Sequence, residues 1–320
     1  MKIVFMGTPE FAATILEGLI NEGHEITAVY TQPDRAQGRS KALVASKVKE
    51  VALSHNLPVY QPEKIKRPEE VEILKSIPAD VFVVAAYGQI LSEEILNIAR
   101  FGAINVHGSL LPKLRGASPI QRAIANGDPV TGVTIMQMDK GIDSGDIFAK
   151  AEVEITREDN ENTMYQKLAD AGSLLLVKTL KDIEAGKAVK TAQNHQEATY
   201  APMLTKDDGR LDINKPAILL EHIVKGYLSW PTAYLEINGG KLKVYDAYAY
   251  SYDEAVNMGV VMDKDNVKPG FFALTKKHLF ITTGDGFLEL LSVQPEGKKP
   301  MKGTDYANGQ HILNGMSMGN

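Results

Sequence analysis

The chain has 320 residues, 44% hydrophobic and 23% charged, with a formal net charge of −5 at pH 7. This is an ordinary globular composition, long enough for two domains, and its negative sum does not mark the whole molecule as a nucleic-acid binder. The absence of cysteine excludes disulfides, thiolate metal sites and thiol nucleophiles.

The first residues, MKIVFMGTPEF, have too short an apolar stretch for a secretory leader. No apolar run approaches the roughly 20 residues of a membrane helix. A cytoplasmic protein with no membrane partner is expected. KIVFM (2–6) reads as a buried strand ending at Gly7, and Pro9 suits the first turn of a helix with Phe11, Ile15, Leu16 and Leu19 on its apolar face. The glycine after this strand stands in GTPEF, not in GxGxxG. The tight pyrophosphate turn of a dinucleotide site is therefore missing, which disfavours a nicotinamide oxidoreductase.

EITAVY (25–30) is the next strand, and a helix is expected over 44–54. Between them, Arg35, Arg39, Lys41, Lys47 and Lys49 make a basic run without an acid. It is either a solvated face or, with Gly38 in the loop, a contact for a phosphate backbone. DVFVVAAYG (80–88) is nearly all apolar, as in the middle of a parallel sheet covered on both faces. GAINVH (102–107) and VTGVTIMQM (130–138) are further strands. Strand–helix alternation of this kind predicts a doubly wound, Rossmann-like α/β domain over 1–189. Its last element is a helix over 162–186, with Leu168, Leu174, Leu175, Val177 and Leu180 assigned to the buried side.

Residues 190–207 are polar and irregular and are read as a linker to a second domain, 208–320. There, a helix over 217–228 precedes short strands at 233–237, 241–250, 271–274, 278–283 and 287–293. Gly239-Gly240 and Gly284-Asp285-Gly286 supply tight turns between them. The pattern predicts a small, OB-like β-barrel. Lys298, Lys299 and Lys302 form a second basic cluster.

The chemistry concentrates between Asn105 and Asp146. His107 follows a buried strand, where a parallel sheet delivers residues to its functional edge. Asn105 lies two residues back, so both side chains project to one face. An amide and a protonated imidazole on one face can hold an oxyanion. Asp143, between Gly141 and Gly145, is either a turn residue or a carboxylate that orients and charges His107. Asp139 and Asp146 compete for that role. In SLLPKLRG (109–116), Leu110 and Leu111 either pack in the core or wall a flat ligand, with Pro112 holding the backbone. An amide, a ring and a carboxylate are the parts needed to move an acyl group onto an amine. GxSxG, HExxH and a histidine cluster with metal spacing are all missing, and no metal is expected.

NVHGSLLPKLRG followed by GVTIMQMDKGIDSGDI resembles the signature of the 10-formyltetrahydrofolate-dependent formyltransferases. FMGTPEFA, TQPDRAQGRSK, AAYGQIL, YAPMLTKDDGRLD, WPTAYLEINGGKLKV and GDGFLELLSVQPEGKKPM narrow the resemblance to the branch whose acceptor is methionyl-tRNA. It covers nearly the whole chain and is weakest over 250–270. The resemblance implies a Rossmann-like catalytic domain, 10-formyltetrahydrofolate as formyl donor and initiator methionyl-tRNA as acceptor, in an enzyme expected to act as a monomer. It places the catalytic trio at Asn105, His107 and Asp143, folate contacts at Ser109, Leu110, Leu111 and Pro112, and tRNA contacts at Arg39 and Lys41. A formyltransferase for an amino sugar or glycinamide ribonucleotide needs neither the basic loop nor the second domain. A hydrolase of the same donor is a further alternative. An RNA-binding module without catalysis would not need the trio.

Overall fold

The structure is a computed structural model and describes residues 1–37, 42–262 and 267–319. The chain divides into two compact units. The first comprises 1–119, 130–154 and 164–202, and the second 120–129, 155–163 and 203–320.

The elements up to residue 184 are, in chain order, β1 (Lys2–Gly7), α1 (Glu10–Asn21), β2 (Glu25–Tyr30), β3 (Arg35–Gln37), β4 (Ala42–Val44), α2 (Lys47–Ser54), β5 (Val59–Tyr60) and α3 (Pro68–Ser76). They continue with β6 (Val81–Ala85), α4 (Glu93–Leu96), β7 (Ala103–His107), α5 (Pro119–Asn126), β8 (Val130–Gln137), β9 (Ile147–Glu154) and α6 (Glu161–Glu184). Seven strands form one sheet in the order β5-β2-β1-β6-β7-β8-β9, while β3 and β4 pair separately. The first five are parallel. The strand order reverses between β1 and β6, and in such sheets ligands bind beyond the carboxyl ends of the strands.

β1 and β6 are central because their side chains are apolar on both faces. Ile3 to Met6 and Val81 to Ala85 are all buried. Gly7 makes the β1–α1 turn possible: a Cβ there would lie 2.6 Å from the Ala12 Cβ and 2.9 Å from the Ala85 carbonyl oxygen. One core joins Val4, Met6, Tyr30, Phe82 and Val84 to Val71 and Leu74 of α3 and to Ile95 and Leu96 of α4.

Two features depart from the sequence reading. The sheet is mixed, because β8 runs antiparallel to β7 and β9 antiparallel to β8. IFAKAEVE alternates between half-buried and exposed residues, as an edge strand does, and so lacks the continuous apolar signal that revealed β6. The buried stripe of α6 also differs. Leu168, Leu176 and Leu180 are fully buried, while Leu174 is 76% exposed. These buried leucines follow the helical spacing of four; Leu174 lies about 160° from Leu176 around the helix axis.

The second unit carries α7 (Ala217–Gly226), β10 (Tyr234–Ile237), β11 (Gly240–Tyr250), α8 (Tyr252–Asn257), β12 (Phe272–Leu274), β13 (Leu279–Thr282), β14 (Phe287–Pro295), β15 (Met301–Lys302) and α9 (Gly303–Gly309). Its six-stranded sheet runs β10-β11-β14-β13-β12, with β15 beside β14, and all pairs are antiparallel. Leu220 and Val224 of α7 pack on Leu235, Leu242, Val244, Ile281, Leu288 and Leu290. Where turn spacing suggested a barrel, no strand ladder joins β10 to β12 among the described residues. Single hydrogen bonds run there instead. The Phe272 amide donates to the Met316 carbonyl (2.8 Å), the Met318 amide to the Gly270 carbonyl (2.8 Å) and the Asn238 amide to the Met318 carbonyl (3.0 Å).

A buried carboxylate ties residues 155–163 into this unit. Glu221, fully buried, accepts from Arg157 Nη2 (2.8 Å), Lys225 Nζ (2.6 Å) and the Ala249 amide (2.7 Å). The Arg157 guanidinium also lies 3.7 Å from the Tyr248 ring centre. Burial pushes the Glu221 carboxyl up, but the hydrogen bonds from Arg157, Lys225 and Ala249 outweigh it and hold the group below its ordinary value.

Leu176→Ala should cost about 2–5 kcal/mol in urea unfolding, and Leu174→Ala should stay within about 0.5 kcal/mol of wild type. Equal losses would refute the assigned helix face. The depressed Glu221 carboxyl stabilises the fold above its unfolded value, and that contribution is lost as pH falls through the folded value. Glu221→Gln should therefore be less stable than wild type at neutral pH. The gap in Tm should close once pH drops below the ordinary carboxylate range, and a gap that does not change with pH would contradict the assignment.

Candidate active site

β7 ends the parallel run and delivers two side chains to its carboxyl end. Asn105 and His107 are two residues apart on one face. β7 lies between β6 and β8, so ladders on both sides fix its backbone. His107 is 5% exposed and Asn105 is half-buried.

The ring of His107 is oriented by one carbonyl. Nε2 lies 3.0 Å from the Leu114 oxygen, which can only accept, so Nε2 carries a proton. Nδ1 then faces Asp143, 3.7 Å from Oδ2. Both ring nitrogens look at acceptors, an arrangement that imidazolium matches with a donor at each. Asn105 Nδ2 donates to Asp143 Oδ1 at 3.4 Å. The shortest contact of the carboxylate is from the Gly116 amide to Oδ2, at 2.8 Å. Asp143 thus sits before two donors and holds neither tightly. An oxygen that develops negative charge at this point can draw on both.

The loop that supplies Leu114 and Gly116 is braced along its length. Thr134 of β8 donates from its hydroxyl to the Ser109 carbonyl (2.6 Å) and accepts from the Leu111 amide (3.1 Å). The Ser109 hydroxyl donates to the Lys113 carbonyl at 2.7 Å. Leu114 has φ 57°, and its amide donates to the Thr199 hydroxyl at 2.9 Å. Gly116 has φ +115°, and a Cβ there would stand 2.7 Å from the Ala201 oxygen. Beside it the Arg115 amide donates to the Thr199 carbonyl (2.9 Å), and the Ala201 amide to the Arg115 carbonyl (2.7 Å).

Of the expected folate residues, Ser109 is buried and spends its hydroxyl within the loop. Leu110 and Pro112 are half-buried. Leu111 is fully buried against Met136 and Ile147, and its amide is spent on the Thr134 hydroxyl.

Among the acids, Asp143 is the one beside His107. Asp139 caps its own loop, accepting from the Gly141 amide at 2.9 Å and the Ser144 hydroxyl at 2.8 Å. Asp146 leads into β9, its carbonyl accepting from the Gln137 amide at 2.8 Å. Asp143 has φ 49°. Gln193 crosses this turn, donating from Nε2 to the carbonyls of Asp143 (2.9 Å) and Gly145 (2.7 Å). Sequence reasoning missed Gln193, because a single amide in a polar stretch carries no pattern. It also passed over Arg115, although the motif contained it.

Arg39 and Lys41 lie outside the described residues. Lys298, Lys299 and Lys302 are exposed on the second unit. Among the described residues no group of His, Asp or Glu could hold a metal ion, and no helix is long and apolar enough to cross a membrane.

Residues 1–180 match the formyl transferase family, and residues 203–311 match the formyl transferase C-terminal domain. The methionyl-tRNA formyltransferase of Agathobacter rectalis is 43% identical over 316 residues, 98% of either chain. That of Lachnospira eligens is 44% identical over 320 residues, the whole of both. Among solved structures, an N-formyltransferase from Helicobacter canadensis, in complex with folinic acid and dTDP-3-aminofucose, superposes with a TM-score of 0.66. The overlap covers 92% of this chain and 99% of that one, and at 18% identity it speaks for the fold alone. The chain belongs to the formyl transferase family, in its methionyl-tRNA formyltransferase branch.

Proposed function

We propose that this enzyme transfers the formyl group of 10-formyltetrahydrofolate to the α-amino group of methionyl initiator tRNA, giving N-formylmethionyl-tRNA for translation initiation. The observation that carries this reading is the full-length similarity to methionyl-tRNA formyltransferases, which extends through the second unit. In this reading the first unit, which takes in residues 190–202, performs catalysis, and the second unit contacts tRNA. The enzyme works in the cytoplasm as a monomer.

The neutral amine attacks the formyl carbon. A C–N bond forms as the carbonyl pair moves onto oxygen. Asn105 Nδ2, with a second N–H to give, and the Nδ1–H of His107 stabilise that oxygen. Asp143 keeps the ring oriented and balances its charge. When the carbonyl re-forms, the bond to N10 of the folate breaks. The amine has lost one proton and N10 has gained one, so charge and atoms balance. Ser109, Leu110, Leu111 and Pro112 contact the folate, and Arg39 and Lys41 contact the acceptor arm of the tRNA.

The decisive assay supplies 10-formyltetrahydrofolate with methionyl-tRNA, free methionine or an amino sugar as acceptor. Formylation of methionyl-tRNA alone is expected, and preference for either small acceptor would overturn the reading. Asn105→Ala and His107→Ala should each lower kcat by ~10²–10³ with folate binding retained, because the lost contacts form in the transition state. Near-normal turnover in either would remove that residue from the mechanism. Arg39→Ala should raise the KM for tRNA and lower the salt slope of tRNA binding by about 1, with folate use unchanged. A KM unaltered across a salt series would return this loop to a solvated face.

A further inference from the structure

Asp143 adopts a left-handed backbone conformation, φ 49°, uncommon for non-glycine residues though tolerated by Asp, and its surroundings hold it there. Its carboxylate is positioned from one side by the Gly116 amide at 2.8 Å. Its backbone is held from the other side by Gln193, whose Nε2 donates to the carbonyls of Asp143 and Gly145 at 2.9 and 2.7 Å. Gln193 is 6% exposed.

An amide side chain can face either way, and here one neighbour decides. Arg115, 4% exposed, donates from Nε (3.1 Å) and Nη2 (2.6 Å) to Gln193 Oε1. A guanidinium has only donors, so it can donate only to the oxygen end of the amide. The nitrogen end is thereby turned onto the Asp143 turn. Arg115 makes no ion pair with a carboxylate among the described residues, and Nη2 also lies 3.1 Å from His195 Nδ1. Buried charges are usually paired, and this one is spent on fixing an amide. Arg115 and Gly116 are adjacent, so one short loop grips Asp143 by its carboxylate and, through Gln193, by its backbone.

We infer that Gln193 and Arg115 are positioning residues for the transfer reaction, setting how far Asp143 reaches toward Asn105 and His107. The inference rests on the formyl-transfer reading. It extends that reading to two residues that act through Asp143.

The test uses the full-length enzyme with methionyl-tRNA and 10-formyltetrahydrofolate. Gln193→Met removes the donor at similar length and should lower kcat roughly 10- to 100-fold, the effect of a small misplacement, with both KM values little changed. Gln193→Glu keeps the volume and strengthens the contact to Arg115, but turns an acceptor onto two carbonyls. It should be as impaired as Gln193→Met, whereas a residue that only packs or anchors would leave kcat normal. Combined with Asp143→Asn, either change should add far less than it costs alone, because both act on one carboxylate. Fully additive losses, or wild-type kcat in Gln193→Glu, would overturn the proposal.

Imidazole NMR supplies a readout besides activity. The His107 ring resonances should shift in Gln193→Glu at neutral pH, and unmoved resonances would likewise overturn it. If the wild-type enzyme did not formylate methionyl-tRNA, the functional reading would fall, while the NMR arm would still judge the positioning.

Discussion

The candidate active site depends on the direction of one backbone carbonyl. The Leu114 oxygen engages Nε2 of His107 and leaves Nδ1 to face Asp143. Turned the other way, the ring would present no donor where Asn105 and Asp143 converge. That carbonyl is aimed by a residue in left-handed conformation. Thr134 at one end of its loop and Thr199 at the other keep it there. Two hydroxyls far apart in sequence thus help to set the orientation of the His107 ring through the loop between them, which is how strain at such a site is maintained by its surroundings.

The sheet contributes rigidity and placement. Because β8 and β9 extend it beyond β7, the strand that bears Asn105 and His107 is an interior strand with hydrogen bonds on both sides. The remaining groups, Leu114, Gly116 and Asp143, come from loops. The division is physically sensible. In the proposed mechanism the donors that must be in place before charge develops are strand-borne and preorganised, while the group that faces them from a loop can be adjusted by its own supports.

Much of this was legible in the sequence because it rests on short-range signals. Apolar continuity marked β1 and β6, and period-two spacing put Asn105 and His107 together. Glycine-flanked Asp143 stood out from Asp139 and Asp146 once the resemblance was drawn, although its spacing alone left three candidates. The errors have equally local causes. Three consecutive leucines in α6 share one composition but occupy different faces, and only Leu176 continues the stripe set by Leu168 and Leu180. β9 alternates with charged residues and so has no apolar run. The turn glycines of the second unit forecast antiparallel pairing but not whether its first and last strands meet. Gln193 was illegible for a deeper reason. Its role comes from contacts with residues some fifty and eighty positions away, and no window along the chain contains them.

The segment that looked like a connector has a consequence for the life of the chain. Residues 190–202 belong to the first unit, and Gln193, Thr199 and Ala201 brace the site. The named strands and the α-helices of that unit are complete by Glu184, and only a 3-10 turn at His195–Glu197 follows, yet the candidate site still lacks part of its support. A ribosome that has extruded the α/β core has made a protein with its amide, ring and carboxylate already present but without the contacts from Gln193 and Thr199. These braces arrive a short stretch of chain later, so the last part of that unit to be synthesised is the part that holds the Asp143 turn and the Leu114 loop in place.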